Sequence, residues 1–417
     1  MSKDNTKFFK EKNNWSLIKD KLLGHYLEPY FQKVLMTGKP IFYVDCFAGK
    51  GKFEDGNPGS PLIALEKRED CLRRTKRTDK LGAIKTCFID LNYAEELKEN
   101  VLSVNPIYDK PIVISGRYEE KIEQCLQDKQ GNNIFLYIDP YGIKALDSNL
   151  FDKFQTYGFY TFEMLINFNS FGFFRDACRV MNVDYKNDDA LSDLDDLVEY
   201  EPTIVNTSKQ SEDLLTRIAG GDYWKDIVAD YRNKKINGYQ AERRLSVEYK
   251  QRLKQRYKYV LDMPIRLKEG QRPKYRMIHV CDHEDGCFLM AQNMQKQKEE
   301  LFFRIQKSGQ LSLFDLSTDY TSSVEGELLT KEEIAQKVKQ TLNRFSEEIR
   351  ITKFLALFVN EHGLVCEFKM IYDILEEFKI MRMIDIIRIP EKTKGGQLSK
   401  FWEEKDGRKI IIRRHRA

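Results

Sequence analysis

Ile41-Phe42-Tyr43-Val44-Asp45-Cys46-Phe47-Ala48-Gly49-Lys50-Gly51 is an apolar run that ends in an acid and breaks into a small-residue turn. It reads as a buried strand feeding a ligand loop. Gly49 and Gly51 let the backbone approach a bound molecule closely, where a Cβ would clash or forbid the turn. Two units of the same kind follow. Thr86-Cys87-Phe88-Ile89-Asp90-Leu91-Asn92 is closed by a carboxylate, at the position that holds a ribose hydroxyl pair in doubly wound sheets. Asn133-Ile134-Phe135-Leu136-Tyr137-Ile138-Asp139-Pro140-Tyr141-Gly142 ends in an acid, a rigid proline and an aromatic ring. Three acids at the C-terminal ends of parallel strands converge on the crevice where open α/β sheets bind ligands. The expected fold class is therefore α/β, with a nucleotide-like cofactor.

Tyr43-Val44-Asp45 through Gly51, the Gly59-Ser60-Pro61-Leu62-Ile63-Ala64-Leu65 that follows, and Tyr137-Ile138-Asp139-Pro140-Tyr141-Gly142 resemble blocks of a known family. These are class I methyltransferases that use S-adenosylmethionine, and within them the three-Cys-motif partner proteins. The resemblance spans roughly Trp15 to Met294, and the first block is also similar to the cofactor loop of bacterial adenine-N6 methyltransferases acting on ribosomal RNA. It implies a Rossmann-like class I methyltransferase sheet. Asp45, Phe47, Gly49 and Gly51 would line the methionine end of the cofactor, with Ala48 and Ser60 in the same blocks. Asp90, followed by Leu91, would hold the ribose, and Ser115-Gly116-Arg117 would approach the adenine. His25, on the helical pattern Trp15, Ile18, Leu22, Leu23, Tyr26, Leu27, Tyr30, matches the family's early histidine and is either a site residue or a packing residue.

The third unit bears on chemistry. Enzymes that methylate exocyclic amines of bases use an acid or amide, two prolines and an aromatic, the ring stacking on the extruded base. Here the second proline is missing. Asp139, Pro140 and Tyr141 still offer an acceptor for an N–H, a rigid backbone carbonyl and a stacking ring, and form the expected catalytic set. A sulfonium is already activated, so alignment of acceptor, methyl and sulfur is most of the catalysis, and no metal is required.

Asp90 lies far beyond Gly51, whereas the ribose acid of a standard dinucleotide fold comes about 20 residues after the glycine loop. A long loop over Phe53 to Ser60 and a helix from Leu62 to Leu72, capped by Ser60-Pro61, fill the gap. Leu165 to Asn169 is a candidate fifth strand, Phe171 to Lys258 a helical insertion, and Tyr259 to Pro264 with Tyr275 to Val280 a closing antiparallel hairpin. The expected methyltransferase-like domain covers 1–305, a linker 306–327, and a winged helix-turn-helix 328–417. In that tail Thr330 and Glu333 form a capping box, Ile351 to Val359 and Phe368 to Phe378 are helices, and Ile384 to Ile389 with Lys409 to Arg414 make a hairpin wing. Lys392, Lys394, Lys400, Arg413, Arg414 and Arg416 would contact phosphates.

Of the 417 residues 41% are hydrophobic and 32% charged, enough for two or three cores. No apolar stretch is long enough for a membrane span, and Met1 to Asn5 lacks a signal-peptide core, so a cytoplasmic protein is expected. The net charge of +4 is unevenly spread. Asp184 to Glu201 is acidic, while Tyr231 to Lys258 interleaves ten Lys and Arg with tyrosines. That basic stretch is either a phosphate-tracking surface or a solvated helix paired with glutamates such as Glu242 and Glu248. The eight cysteines form no Cys-x-x-Cys pair and read as reduced thiols. Cys281-Asp282-His283 with Cys287 is better explained by a turn at Asp285-Gly286 than by zinc. The expected function is S-adenosylmethionine-dependent N-methylation of a nucleic-acid base. Open alternatives are methylation of a protein or peptide with a three-Cys-motif partner, and a non-catalytic adaptor that works through its winged helix.

Overall fold

A computed structural model describes residues 14–185, 209–265, 275–308, 329–345, 348–405 and 407–415. The chain divides into two compact units, 1–282 and 283–417. Of the expected features, Met1 to Asn5, most of the acidic Asp184 to Glu201, most of the 306–327 linker and Arg416 lie outside the described residues.

The first unit is built on a mixed seven-stranded sheet of order β3-β2-β1-β4-β5-β7-β6. Its strands are β1 (Ile41–Asp45), β2 (Ile84–Asp90), β3 (Ile112–Ser115), β4 (Asn133–Ile138), β5 (Thr161–Phe168), β6 (Tyr259–Ile265) and β7 (Tyr275–Cys281). β1 to β5 are parallel, and β7 runs antiparallel to both β5 and β6. β6 and β7 form the antiparallel hairpin expected at the closing edge of the sheet. β1 and β4 are fully buried along their length, as continuous apolar runs must be when helices cover both faces. Chain order reverses between β1 and β4, which places the switch-point crevice at the ends carrying Asp45 and Asp139.

Helices α1 (Asn14–Leu35), α2 (Ser60–Arg74), α3 (Ala94–Ser103), α4 (Tyr118–Leu126) and α5 (Ser148–Phe154) accompany the parallel strands. Aromatic packing fixes α1 on the sheet. Tyr26 and Tyr30 lie 5.7 and 5.2 Å, ring to ring, from Phe135 of β4, which stacks on Tyr43 of β1 at 5.8 Å. The Tyr26 hydroxyl donates to Glu163 of β5, and Glu163 also lies 2.9 Å from His279 Nε2 of β7. Each of these buried rings contributes about 1.5–3 kcal/mol. The N-cap of α2 is Gly59, not Ser60 as expected: Ser60 begins the helix and its side chain turns toward Asp45 and the pocket described below. The loop before α2 is tighter than expected, closed by a Lys52–Pro58 bridge and by Phe53 N–H donating to Asn57 O at 2.9 Å.

Between β5 and β6 stand α6 (Ser170–Val180), α7 (Lys209–Ala219), α8 (Tyr223–Arg232) and α9 (Gly238–Lys254), within the span expected for a helical insertion. α9 docks through Tyr249, stacked on Phe168 at 4.3 Å, and through a buried charge network. Arg276 donates to Glu242 at 2.7 and 3.0 Å and to Asp262 at 2.6 Å, while Lys250 pairs with Asp262. Burial pushes the Asp262 carboxyl up, but Lys250 and Arg276 outweigh it and hold it below the ordinary carboxylate range. Several cations of the expected phosphate-tracking stretch thus have internal partners: Arg244 and Lys235 bond Asp230, and Arg252 and Arg256 reach Asp152. Those partners are aspartates of neighbouring elements, and Glu242 is 2% exposed and committed to Arg276.

The second unit contains α10 (Glu284–Ser308), α11 (Lys331–Asn343), β8 (Ile349–Arg350), α12 (Ile351–His362), α13 (Phe368–Ile380), β9 (Ile384–Ile389) and β10 (Lys409–Arg414). The Thr330–Glu333 capping box starts α11 as read from the sequence, and Gly363, at φ 77°, ends α12. The three strands form an antiparallel sheet of order β8-β10-β9. Asp285 and Gly286 sit in the first turn of α10, not in a hairpin turn, because the helix begins at Glu284. α10 lies in this unit, with Phe288 edge-on to Phe368 and Cys287 Sγ 3.7 Å from Ala356 O, so the division falls earlier than the expected 305. Among the described residues no helix is long and apolar enough to cross a membrane.

Removing one partner of a buried pair leaves an uncompensated charge. Glu242→Ala is expected to lower unfolding free energy by about 3–5 kcal/mol, read as a fall in the urea midpoint at unchanged slope.

Candidate functional site

One pocket at the switch point brings together most of the residues singled out from the sequence. Phe47, Ala48, Gly49, Gly51, Ser60, Asp139, Pro140 and Tyr141 line it. Ser16, Lys19 and Asp20 of α1, Lys52, Phe53, Gly59, Asn167 of β5 and Tyr275 of β7 complete the wall. Asp45, Asp90, Leu91 and Arg117 do not line it.

The loop after β1 is held by the backbone and by Asp90. Cys46 N–H donates to Tyr137 O at 2.9 Å, Ala48 N–H to Ile89 O at 3.0 Å, and Gly49 N–H to Asp90 Oδ2 at 2.9 Å. Asp90 Oδ1 takes the N–H groups of Asn92 and Tyr93 at 2.8 and 2.7 Å. The acid expected to grip a ribose is thus the clamp that ties the glycine loop to the start of α3. Gly49 and Gly51 have φ of 58° and 76°, the left-handed region that glycine tolerates. A Cβ on Gly51 would meet Leu97 at 3.0 Å, and one on Gly59 would meet Gly51 O at 3.1 Å. Leu91 is 51% exposed, and Arg117, also exposed, precedes α4 as its N-cap without a capping side-chain bond.

Asp45 lies beneath the loop, fully buried. Its Oδ1 takes the Phe47 N–H at 3.2 Å, and its Oδ2 meets no partner. Burial pushes its carboxyl up to about 7, with Asp139 and Asp20 adding to the rise and Ser60 and the Phe47 N–H opposing it.

Asp139 is densely contacted. Lys19 Nζ donates to Oδ1 at 2.9 Å and Oδ2 at 2.7 Å, Asn167 Nδ2 to Oδ1 at 2.6 Å, and Tyr137 Oη to Oδ2 at 3.1 Å. The Lys19 ammonium also lies 5.4 Å from the centre of the Tyr275 ring. Tyr141 is 47% exposed at the rim. The arrangement offers a small-residue cradle, a buried acid beneath it, and a polar wall facing an open aromatic ring, which suits holding a polar ligand in the cradle beside a planar one at the rim.

Lys19 and Asn167 were not singled out from the sequence. The signal was present in both, a charge on the apolar stripe of α1 and an amide inside the apolar run of β5. His25 is exposed on α1 and does not line the pocket, so Lys19 is the residue by which that helix enters the site. Among the described residues no group of three His, Cys, Asp or Glu could hold a metal ion, so Cys281, Asp282, His283 and Cys287 make no such cluster.

No family model matches the chain, and no curated protein matches it. Among solved structures the chain is similar to the plantazolicin methyltransferase BamL in complex with a triazolic desmethylPZN analog and SAH. Sequence identity is 10% and the TM-score 0.29, over 66% of this chain and 89% of that one.

Asp45 sets a pH dependence. Its folded value of about 7 lies above the ordinary 3.8, so between these the folded state keeps a proton that the unfolded chain has lost, and stability falls as pH rises. The fall amounts to as much as about 4 kcal/mol at 1.36 kcal/mol per unit. Asp45→Asn is expected to flatten the decline of the urea midpoint between pH 4 and 7; an unchanged slope would show that Asp45 does not titrate there.

Proposed function

We propose that this protein is an S-adenosylmethionine-dependent methyltransferase that methylates an exocyclic amine of a nucleobase. The observation that carries the reading is that the left-handed glycine loop after β1 and the Asp139-Pro140-Tyr141 turn after β4 line one pocket at the switch point of the sheet.

The residues present fit the cofactor. Close packing at Gly51 and Gly59, where a Cβ would meet Leu97 and the Gly51 backbone, keeps side chains off the loop where it lines the pocket, and Asp45, at the end of β1 before it, has a buried oxygen without a partner. Phe47, Ala48, Gly49, Gly51 and Ser60 would hold the methionine end. Asp90, Leu91 and Arg117 stand at the next strand ends toward the β3 edge, on the side where the ribose and adenine would lie. When bound, S-adenosylmethionine supplies a methyl group already activated on a sulfonium. The chain's own residues then have only to align the acceptor. Tyr141, exposed at the rim, offers a face for a planar base, and the polar wall around Asp139 orients its amine.

We further infer that residues 329–415 form a winged helix-turn-helix, supported by the order α11-β8-α12-α13-β9-β10 and the antiparallel β9–β10 pair. Lys392, Lys394 and Lys400 are exposed in the β9–β10 loop and would contact phosphates. Arg413 pairs with Glu348, and Arg414 bonds the carbonyls of Leu342 and Phe345, so these two belong to the fold of the unit rather than to its wing.

Titration calorimetry of the full chain is expected to show saturable S-adenosylmethionine and S-adenosylhomocysteine binding that Gly51→Val abolishes. Labelled-methyl transfer to pooled DNA and RNA is expected to follow. Absence of cofactor binding at high protein concentration would sink the reading. For the wing, replacing Lys392, Lys394 and Lys400 with Glu is expected to reduce the slope of log affinity for duplex against log salt by about three. An unchanged slope would remove the wing from the phosphate interface.

A further inference from the structure

Asp139 has no room for a substrate donor. Its two oxygens accept from Lys19 at 2.9 and 2.7 Å, from Asn167 at 2.6 Å and from Tyr137 at 3.1 Å. A carboxylate offers about four lone-pair positions. A further N–H would have to displace one of these donors, and Lys19 competes with a full positive charge.

The unfilled acceptor on the same wall is Asn167 Oδ1. The parallel register of β4 with β5 pairs Ile138 with Ile166, so Asp139 and Asn167 emerge side by side where the strands end. Asn167 is 3% exposed and lines the pocket, and its Oδ1 meets no donor. Its orientation is set by chemistry: only the amide N–H end can face a carboxylate at 2.6 Å, so the carbonyl end points elsewhere. A buried amide oxygen without a partner carries a desolvation penalty that a ligand N–H would remove. Ser16 Oγ, 5% exposed on the α1 side of the pocket, is a second buried polar atom without a partner. The wall is thus polar, preorganised and incomplete, with its open hydrogen-bonding capacity on Asn167 and Ser16.

We propose that Asn167, not Asp139, receives the N–H of the acceptor amine, and that Asp139 with Lys19 is a positioning pair that fixes the direction of the Asn167 carbonyl. The assignment rests on the methyltransferase reading above and names the residue that selects an amine at that site. It also accounts for the missing second proline after Asp139, because the amine-recognising group is supplied by the neighbouring strand.

The test uses the full chain loaded with S-adenosylhomocysteine and two matched probe pairs, adenosine against purine riboside and cytidine against pyrimidin-2-one riboside. Each pair differs by the exocyclic amine alone. The wild type is expected to bind at least one amino form about tenfold or more tightly than its partner, the cost of an unmade hydrogen bond at a buried group. Asn167→Leu, branched like the amide but without an acceptor, is expected to abolish that preference while S-adenosylhomocysteine still binds, at some cost in thermal midpoint from the donor lost to Asp139. Asp139→Asn, which no longer dictates the amide's direction, is expected to retain a reduced preference, a ratio that a merely structural role would leave unmoved. Full preference in Asn167→Leu, or none in the wild type for either pair, overturns the assignment. Failure of S-adenosylhomocysteine itself to bind overturns the methyltransferase reading, a result separable from either of these.

Discussion

The constraint on which the site depends is the four-bond enclosure of the Asp139 carboxylate. Its donors come from three elements, α1, β4 and β5, so the carboxylate fixes the first helix to the strand ends as much as it faces a ligand. Lys19 reaches it only because α1 is seated on the sheet through Tyr26, Tyr30 and Phe135, and that seat is keyed by the Tyr26–Glu163–His279 contacts deeper in the layer. An ion pair in such a place contributes little net stability, since desolvation offsets attraction. Its worth is directional. With Lys19 on both oxygens, the remaining positions of Asp139 suffice for Tyr137 and Asn167 and no more, and the amide's orientation follows without any loop having to order itself.

The three strand-end acids illustrate how one residue type takes three roles by environment. Asp45, fully buried with one oxygen unpartnered, is pushed up to about 7 and carries its charge at a cost. Asp90 receives three backbone N–H groups and acts as a clamp for the glycine loop. Asp139 meets a cation and two neutral donors. Proximity of like charges is part of the reason, because Asp139 raises the cost of ionising Asp45. The loop after β1 is therefore held by backbone hydrogen bonds and by Asp90, and Asp45 keeps one buried oxygen without a partner.

β1, β2 and β4 were legible because each is an apolar run closed by an acid, a pattern that fits a doubly covered sheet. The capping box at Thr330 and the stop at Gly363 were legible for local reasons, side-chain geometry in one case and a left-handed backbone in the other. Non-local features were not. β8 is two residues long and exists only through its pairing with β10. The Gly59 cap replaced Ser60 because the Ser60 side chain is turned toward Asp45 and the pocket, information absent from positions 59–61 themselves. Lys19 and Asn167 could be seen as polar residues in apolar patterns, yet what they touch is set by the packing of α1 and the β4–β5 register. The basic stretch of α9 was read by composition, which cannot tell an exposed arginine from one bonded to Asp152 or Asp230.

On the winged-helix reading, charge in the second unit is divided in a way that bears on how it would meet nucleic acid. α13, at the place of a recognition helix, carries Asp373, Glu376 and Glu377, and the cations near the last two, Arg388 and Lys331, are already paired with them. With Lys369 and Lys379 also exposed on it, the helix is close to neutral, and its carboxylates have few base partners beyond cytosine amines. Three further exposed lysines, Lys392, Lys394 and Lys400, stand on the β9–β10 loop, where an ammonium on a flexible stem would contact phosphate without reading sequence. On that reading the loop lysines would give salt-dependent attachment without sequence recognition, and on the proposed assignment selectivity would fall to the pocket of the first unit, where a buried amide oxygen would reject an acceptor that lacks an N–H.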